Sequence, residues 1–421
     1  MIFNIQNKNK YFKKTWSHYI HLIKMVFLIL CISIFLTLPL SFKFKPKSDL
    51  LAMNLIAKNH LTTDSMLVCI PYNVNFAPLS EEYKLTKCPI IEDFYNKNIA
   101  SNAFSGSFLV AKNGVVLFEK YTGYSNSKSK LPFKKETPTH VASISKVLTS
   151  AAIMRLVHFE KLNLDQTVQS ILTDFPYEDI TIRHLLSHRS GLLQYSRFSE
   201  FIKGWNPRKI LSNQDILDLF IKHQFKKTFK TDSKFAYNNT NYALLALIIE
   251  RKTEKNFFES MAELVFEPLE MQDTFIIDFI VQKDEVCQSY KSDGVNFGWD
   301  QFDAIVGDKN VYSTARDLLK FDLATYSDEF LPPHLKEEML KGYSFETKGQ
   351  NNYGLGIRMK EFDNGQKIHY HNGWWHGNTS SYVTLKKDTV TIIALSNRFS
   401  KKPYGVVKLS ALFGDYPYLL N

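Results

Sequence analysis

Val141-Ala142-Ser143-Ile144-Ser145-Lys146-Val147-Leu148 opens the most regular apolar pattern in this 421-residue chain. Apolar residues recur at Ile144, Val147, Leu148, Ala151, Ala152 and Leu156, and no Pro or Gly interrupts residues 141–175. The spacing predicts a helix that starts at this stretch and runs on. Ser143 and Lys146 are three apart and share one face of its first turn. At a helix start, unpaired N–H groups and the macrodipole favour negative charge developing near Ser143. A serine hydroxyl becomes a nucleophile when a neighbouring base takes its proton. A buried lysine can be that base, because burial disfavours its charged form, and apolar residues lie around most of this helix. The other reading is a helix cap beside an exposed lysine. Ser125-Asn126-Ser127-Lys128 and Ser127-Lys128-Ser129-Lys130 repeat the S-x-x-K spacing, but in a polar stretch where a lysine stays solvated.

Two further motifs follow. Tyr237-Asn238-Asn239 comes after a short extended stretch, 234–236, and before a helix expected over 242–252. Asn238 to Asn241 is thus a strand-to-helix corner rich in capping residues. There Tyr237 can present its phenol to Ser143 and pass a proton to a leaving group. Asn239 offers both a donor and an acceptor to a substrate amide. The alternative is a core tyrosine beside a capping asparagine. His371-Asn372-Gly373 stands among strands expected at 353–362, 367–371, 381–385 and 389–395, with Asn364-Gly365 as a hairpin signal. His371 would end a strand, and Gly373 would let a substrate backbone approach closely. The alternative is a surface histidine on an edge strand.

Three scaffold stretches fall in register with these motifs: Ile180-Thr-Ile-Arg-His-Leu-Leu-Ser-His-Arg-Ser-Gly-Leu192, Gly307-Asp-Lys-Asn-Val-Tyr-Ser-Thr-Ala-Arg-Asp-Leu-Leu-Lys320 and Thr391-Ile-Ile-Ala-Leu-Ser-Asn397. Over residues 101–400 the chain resembles the class C β-lactamase and penicillin-binding-protein-related serine hydrolases, which include DD-peptidases and esterases. Their S-x-x-K motif carries companion motifs, and their acylation base is disputed. The resemblance implies that Ser143 attacks a carbonyl carbon to form an acyl-enzyme that water releases. Lys146 would be the base, or would hold Tyr237 as the phenolate base. Asn239 would position substrate, and the backbone N–H groups of Ser143 and Trp374 would form the oxyanion hole.

One departure bears on the substrate. β-Lactamases of this family usually carry Lys-Thr-Gly where this chain has His371-Asn372-Gly373. An unperturbed histidine is mostly neutral at pH 7, and Asn372 lacks the threonine hydroxyl, so a carboxylate-bearing substrate loses two of its usual contacts. His371 must stay neutral in this role, so activity is expected to fall as pH drops through about 6.5. Trp374-Trp375 would line the site with apolar surface. The resemblance therefore points to a DD-carboxypeptidase-like or esterase-like enzyme, with a true β-lactamase, or a non-catalytic cell-wall-binding scaffold of the same fold, as alternatives. No cofactor and no metal is expected. His184 and His188 have the i, i+4 spacing of a metal pair but lack the Glu of H-E-x-x-H, and His369, His371 and His376 cluster without a nearby acidic or Cys ligand in sequence. The partner would be a small-molecule, peptide or ester substrate, peptidoglycan fragments among them.

Net charge is +10, which raises the question of nucleic acid. Residues 1–50 hold eight lysines and only Asp49, a net of +7, so the other 371 residues carry 10 − 7 = +3. A basic tail on a nearly balanced domain speaks of membrane topology and not of a polyanion groove. Residues 1–24 read as a basic cytoplasmic tail and 25–42 as a signal anchor or signal peptide, its apolar core running from Met25 to Leu40. The remainder would face outward, periplasmic or extracellular. Residues 43–100 read as a linker or preface broken by Pro71, Pro78 and Pro89. Within it Cys69 and Cys88 either bridge in an oxidising compartment or remain free thiols, and Cys287 reads as buried or inert. The hydrolase domain would span 101–415. Its class would be α/β (α+β), β-lactamase/transpeptidase-like: one antiparallel sheet of N- and C-terminal strands flanked by helices, with an α-rich insertion over about 161–300. A hairpin over 107–121 turns at Asn113-Gly114, and a helix is expected over 316–324.

Overall fold

In strand β1 (Gly106–Lys112), Leu109 and Ala111 face one apolar cluster while Phe108 and Val110 face another. The C-terminal strand β7 (Val390–Ser396) divides the same way, Ile393 and Leu395 to one side, Ile392 and Ala394 to the other. Side chains alternate across a strand, so a strand covered on both faces reads as a continuous apolar run. β1 and β7 pair antiparallel from Gly106↔Ser396 to Lys112↔Val390, which closes the two ends of the domain into one sheet. The other strands are β2 (Val115–Thr122), β3 (Asn351–Tyr353), β4 (Arg358–Glu361), β5 (Lys367–Trp375) and β6 (Asn378–Leu385). Their order is β2-β1-β7-β6-β5-β4-β3, antiparallel throughout. The Asn113-Gly114 turn has positive φ at both residues, 51° and 76°, the geometry that makes this pair a hairpin signal.

The computed structural model describes residues 68, 70–101 and 104–420. All belong to the unit spanning 64–421. The basic tail, the 25–42 segment and Cys69 lie outside the described residues. Among the described residues no helix is long and apolar enough to cross a membrane.

The preface differs from its expected form. Helix α1 (Glu81–Phe94) runs through Pro89. An interior proline costs about 3 kcal/mol, but Ile91 and Phe94 are buried against the second cluster, and each such side chain stabilises by about 1.5–3 kcal/mol. Ser80 Oγ also caps the helix by accepting from Tyr83 N. Packing outweighs the proline.

Helix α2 (Ser145–His158) begins where the pattern places it but stops well short of residue 175. Glu160 takes a positive φ of 57°, and Asn163 Oδ1 accepts from Asp165 N at 2.8 Å. Such side-chain-to-backbone bonds offer the chain an alternative to helix. The extended stretch expected over 353–362 is likewise two strands. Between them a Cβ on Gly354 would stand 2.3 Å from the Met339 carbonyl, and one on Gly356 (φ +86°) 2.4 Å from Ser150 Cβ. Gly356 lets this turn settle on α2 and Gly354 lets it pass the backbone of Met339 and Lys341, which a straight strand could not do.

Helices α2 and α3 (Asn239–Thr253) are buried around most of their circumference, which explains why neither shows a polar stripe. The middle of the chain adds helices Ile182–Leu186, Asn213–His223 and Phe257–Met261, in keeping with the α-rich insertion. Helix α4 (Ala315–Ala324) starts at Thr314, whose hydroxyl accepts from Asp317 N at 3.1 Å, as the sequence predicts.

Candidate active site

Ser143 sits in a 3₁₀ turn, Ala142–Ile144, that feeds directly into α2. Its lead-in is held from three sides. Thr139–His140 pairs with Val311–Ser313. The Val141 carbonyl accepts from Ser380 Oγ at 2.6 Å. Ala142 N donates to His140 Nδ1 at 3.1 Å, and His140 Nε2 lies 3.0 Å from Asn310 Oδ1. These ties hold Ala142 at φ 50°, a left-handed conformation that costs a non-glycine residue about 1–3 kcal/mol.

One turn further on, Lys146 is fully buried. Its Nζ lies 3.1 Å from Ser143 Oγ and donates to the Asp308 carbonyl at 2.6 Å. The loop that supplies this carbonyl is fastened to the same helix. Thr149 Oγ1 donates to Gly307 O at 2.8 Å, and Val311 N donates to Ser145 Oγ at 3.2 Å. Gly307 has φ +90°, and a Cβ there would lie 2.4 Å from the Tyr242 carbonyl of α3. Only glycine lets the loop press this close. Asp308 and Lys309 are themselves buried and paired. Lys309 Nζ lies 3.4 Å from the Asp308 carboxylate and donates to Tyr195 Oη at 2.9 Å, and Tyr195 donates to Asp308 at 2.6 Å. Burial pulls the Lys309 ammonium below its ordinary value, against the opposing pull of Asp308.

The Tyr237-Asn238-Asn239 corner is fixed by Gln194. Its Nε2 donates to the Tyr237 carbonyl and its Oε1 accepts from Asn239 N, both at 3.0 Å. Asn238 caps α3 and donates to Leu192 O at 2.6 Å. The Tyr237 ring centroid is 5.1 Å from Lys146 Nζ. Among the described residues no hydrogen bond joins its phenol to Ser143. Asn239 Oδ1 is buried without a hydrogen-bond partner.

Beneath Tyr237 runs a buried relay. His188 Nδ1 accepts from Asn238 N at 3.1 Å, so its Nε2 carries the proton directed at Tyr353 Oη, 3.2 Å away. Tyr353 can then donate to His371 Nε2 at 3.2 Å, which leaves His371 Nδ1–H for the Asn372 carbonyl at 2.8 Å. Both imidazoles are thus neutral. Burial first, and then the Arg358 and Lys146 charges, hold His371 well below 6.5. The fall in activity expected near pH 6.5 therefore has no source in His371.

Ser143, Tyr237, Asn239, Gly373 and Trp374 line one cleft of about 650 Å³, with Lys146 behind Ser143. His371 is not in its wall. It lies fully buried, its ring 6.1 Å from that of Tyr237. Gly373 lines the cleft, and its lack of a Cβ also makes room for the protein's own backbone. A Cβ there would lie 2.2 Å from Ser380 Oγ and 2.4 Å from the Val141 carbonyl. The backbone that approaches is the protein's own, the turn that presents Ser143. β4 pairs with β5 only as far as Tyr370, so the edge of β5 from His371 to Trp375 is free to face this turn.

Three features of the site, at Gln194, Arg358 and Asp300, escaped the sequence. Gln194 carries no motif of its own, and Arg358 reads as an ordinary strand residue. Arg358 lines the cleft with its guanidinium 4.7 Å from the Tyr237 ring centroid, and among the described residues it has no carboxylate partner. Asn372 lines it too, with Oδ1 accepting from Ser381 Oγ at 2.8 Å, which turns its amide donors to other use. Asp300 lines the far end. The histidines weighed as metal ligands are engaged elsewhere. His184 Nδ1 accepts from Thr181 N, and His369 Nε2 bonds the Leu340 carbonyl. Asp300, Asp303 and His376 bring ligand atoms within 4.8 Å of one another, but His376 Nε2 and Asp303 are already bonded to each other at 2.9 Å.

A buried lysine touching a serine at a helix start, a tyrosine corner and a strand edge on one cleft have the arrangement that S-x-x-K acyl-transfer chemistry needs. The family model described as Beta-lactamase matches residues 95–413, and the chain belongs to that family of serine hydrolases. Penicillin-binding protein 4* of Bacillus subtilis (strain 168) is 30% identical over 335 residues, covering 75% of this chain and 73% of that protein. A D-aminopeptidase of Brucella anthropi is 26% identical over 298 residues, 69% of this chain but only 56% of its own length. Among solved structures, a penicillin-binding protein from Bacillus halodurans superposes with a TM-score of 0.66 at 26% identity, covering 77% of this chain and 98% of that one.

Proposed function

We propose that this chain is an exported serine hydrolase that cleaves an amide bond whose leaving group ends in a carboxylate, in the manner of a DD-carboxypeptidase. The observation that carries the reading is the 3.1 Å contact between Lys146 Nζ and Ser143 Oγ in a cleft that Arg358 also lines. Lys146 takes the Ser143 proton as Oγ bonds to the carbonyl carbon. The proton passes by way of Tyr237 to the departing amine as the C–N bond breaks. The N–H groups of Ser143 and Trp374 receive the oxyanion, and each such donor is worth about 2.7–4 kcal/mol. Asn239 Oδ1, buried and unpartnered, accepts a substrate N–H. Water then hydrolyses the acyl-Ser143 ester.

Arg358 restores the cation that the lysine-to-histidine change takes away, and the Asn372 amide stands in for the missing hydroxyl as a donor. A guanidinium without a carboxylate of its own is suited to holding one from the substrate. Trp374, 63% exposed at the mouth, favours an aryl or acyl ester as the second reading. Export with an uncleaved anchor rests on the basic residues 1–24 ahead of the apolar run from Met25 to Leu40. The hydrolase domain is taken as 101–415 with the α-rich insertion over 161–300. The test is release of free D-alanine from an acyl-D-alanyl-D-alanine peptide. Ser143→Ala should abolish it, and retained release would end the assignment.

A further inference from the structure

The end of the cleft away from Arg358 carries the opposite charge. Arg358 pairs with Tyr370 on β5, and Trp375 closes the same strand five residues later, about 16 Å along it. The Trp375 indole donates to Asp303 at 2.7 Å, His376 Nε2 lies 2.9 Å from the same carboxylate, and the backbone N–H of Asp300 donates to it as well. Asp303 is buried and fully engaged. Asp300, exposed at the cleft mouth, is not. One of its oxygens accepts from Phe302 N at 2.7 Å, and among the described residues it has no cationic partner. The charged groups gathered here are Asp300, Asp303, Asp308, Lys309 and His376. Asp308 and Lys309 pair with each other, which leaves two carboxylates against one histidine. Phe297 and Trp375 both pack on His376, with ring centroids 5.2 Å and 4.8 Å from its own, and both line the cleft.

We propose that Asp300, with Phe297 and Trp375 lining the same cleft, is the subsite for the ammonium group of an amine-bearing acyl donor. An ammonium is attracted both by a carboxylate and by aromatic faces, and this part of the cleft that Ser143 lines offers both. Partial desolvation by the cleft wall first, and then the negative charge of Asp303, push the Asp300 carboxyl up, a cost that a bound cation relieves. A divalent metal fits less well, since Asp303 and His376 already satisfy each other. With Arg358 at the other end, the cleft selects a substrate that is positive on its acyl side and negative on its leaving side. The inference rests on the acyl-serine reading for the identity of those two sides.

The test is binding to the full chain carrying Ser143→Ala, with D-alaninamide and N-acetyl-D-alaninamide as probes. D-alaninamide should bind on the order of ten-fold more tightly, Asp300→Asn should bring the two probes level, and Asp300→Glu should keep the preference. Equal affinity in the Asp300 protein, no measurable binding of D-alaninamide, a preference that survives Asp300→Asn, or one that EDTA removes would each overturn the proposal. Turnover is read separately with Ser143 intact. An amine preference without any hydrolysis sinks the acyl-serine reading and leaves the subsite standing.

Discussion

Gly373→Ala separates two explanations of the third motif, since glycine there either admits substrate or admits the protein's own nucleophile turn. The added Cβ would lie 2.2 Å from Ser380 Oγ, 2.4 Å from the Val141 carbonyl and 3.0 Å from Ala142 Cβ. The Ser380 hydroxyl can rotate away. The Val141 carbonyl cannot, because it is backbone two residues before Ser143 and is itself held by Ser380 at 2.6 Å. Relieving the contact therefore moves β5 and the turn apart by about 1 Å, and a misplacement of that size costs about 10²-fold in rate. Overpacking of this kind costs about 1–3 kcal/mol in stability, so the protein should remain folded. The assay is the rate at which a fluorophosphonate labels Ser143, followed by intact mass, with thermal unfolding run alongside. Ser380→Ala added to Gly373→Ala should recover little of the rate, because the carbonyl clash persists. A folded Gly373→Ala protein that labels at the wild-type rate would refute the reasoning and return the glycine to the substrate.

Three further outcomes follow from the same geometry. Arg358→Ala should weaken a carboxylate-terminated peptide by about 1.5–3 kcal/mol, seen as a raised KM, and leave its C-terminal amide analogue unaffected; equal losses in both would remove Arg358 from recognition. His140 and His369 are both pushed down to about 4 by burial, whereas in the unfolded chain they titrate near 6.5. Their contribution is thus whole above pH 6.5 and is lost as pH falls toward 4, where the unfolded chain takes up protons that the native one refuses. The loss is up to about 1.4 kcal/mol per pH unit for each histidine, so His369→Gln should flatten denaturant-measured stability against pH by one proton, and an unchanged slope would contradict this. Lys309→Met strands the Asp308 carboxylate in the interior and should cost about 3–5 kcal/mol in denaturant unfolding, whereas a loss near that of a surface pair would mean that water reaches the site.

Much of the site was legible because its parts are local. Ser143 and Lys146 share one turn, Asn238 caps the helix that follows it, and Asn113-Gly114 makes the hairpin its φ preferences dictate. The apolar runs at residues 107–111 and 391–395 told of strands, and the structure shows each buried on both faces. Where the reading missed, the deciding contact lay outside the apolar pattern. Pro89 sits inside a helix because Ile91 and Phe94 find the sheet, a gain that no local propensity contains. Residues 159–175 leave the helix because the Glu160 backbone and the Asn163 side chain form turns, although apolar spacing alone permits a helix to continue.

The sequence by itself determined the order of the motifs, the lysine one turn from Ser143 and the strands at the two ends of the domain. These depend on spacings of three to five residues or on apolar runs beside turn signals, which the chain carries wherever it folds. The tertiary structure alone decided that His371 lies beneath Tyr237 and out of the cleft wall, that Gly373 makes room for the Ser143 turn, and that Arg358 and Asp300 stand at opposite ends of one cleft. Each of these depends on residues far apart in the chain meeting across packed surfaces. Charge and exposure at such a meeting follow from burial, and burial is a property of the folded whole.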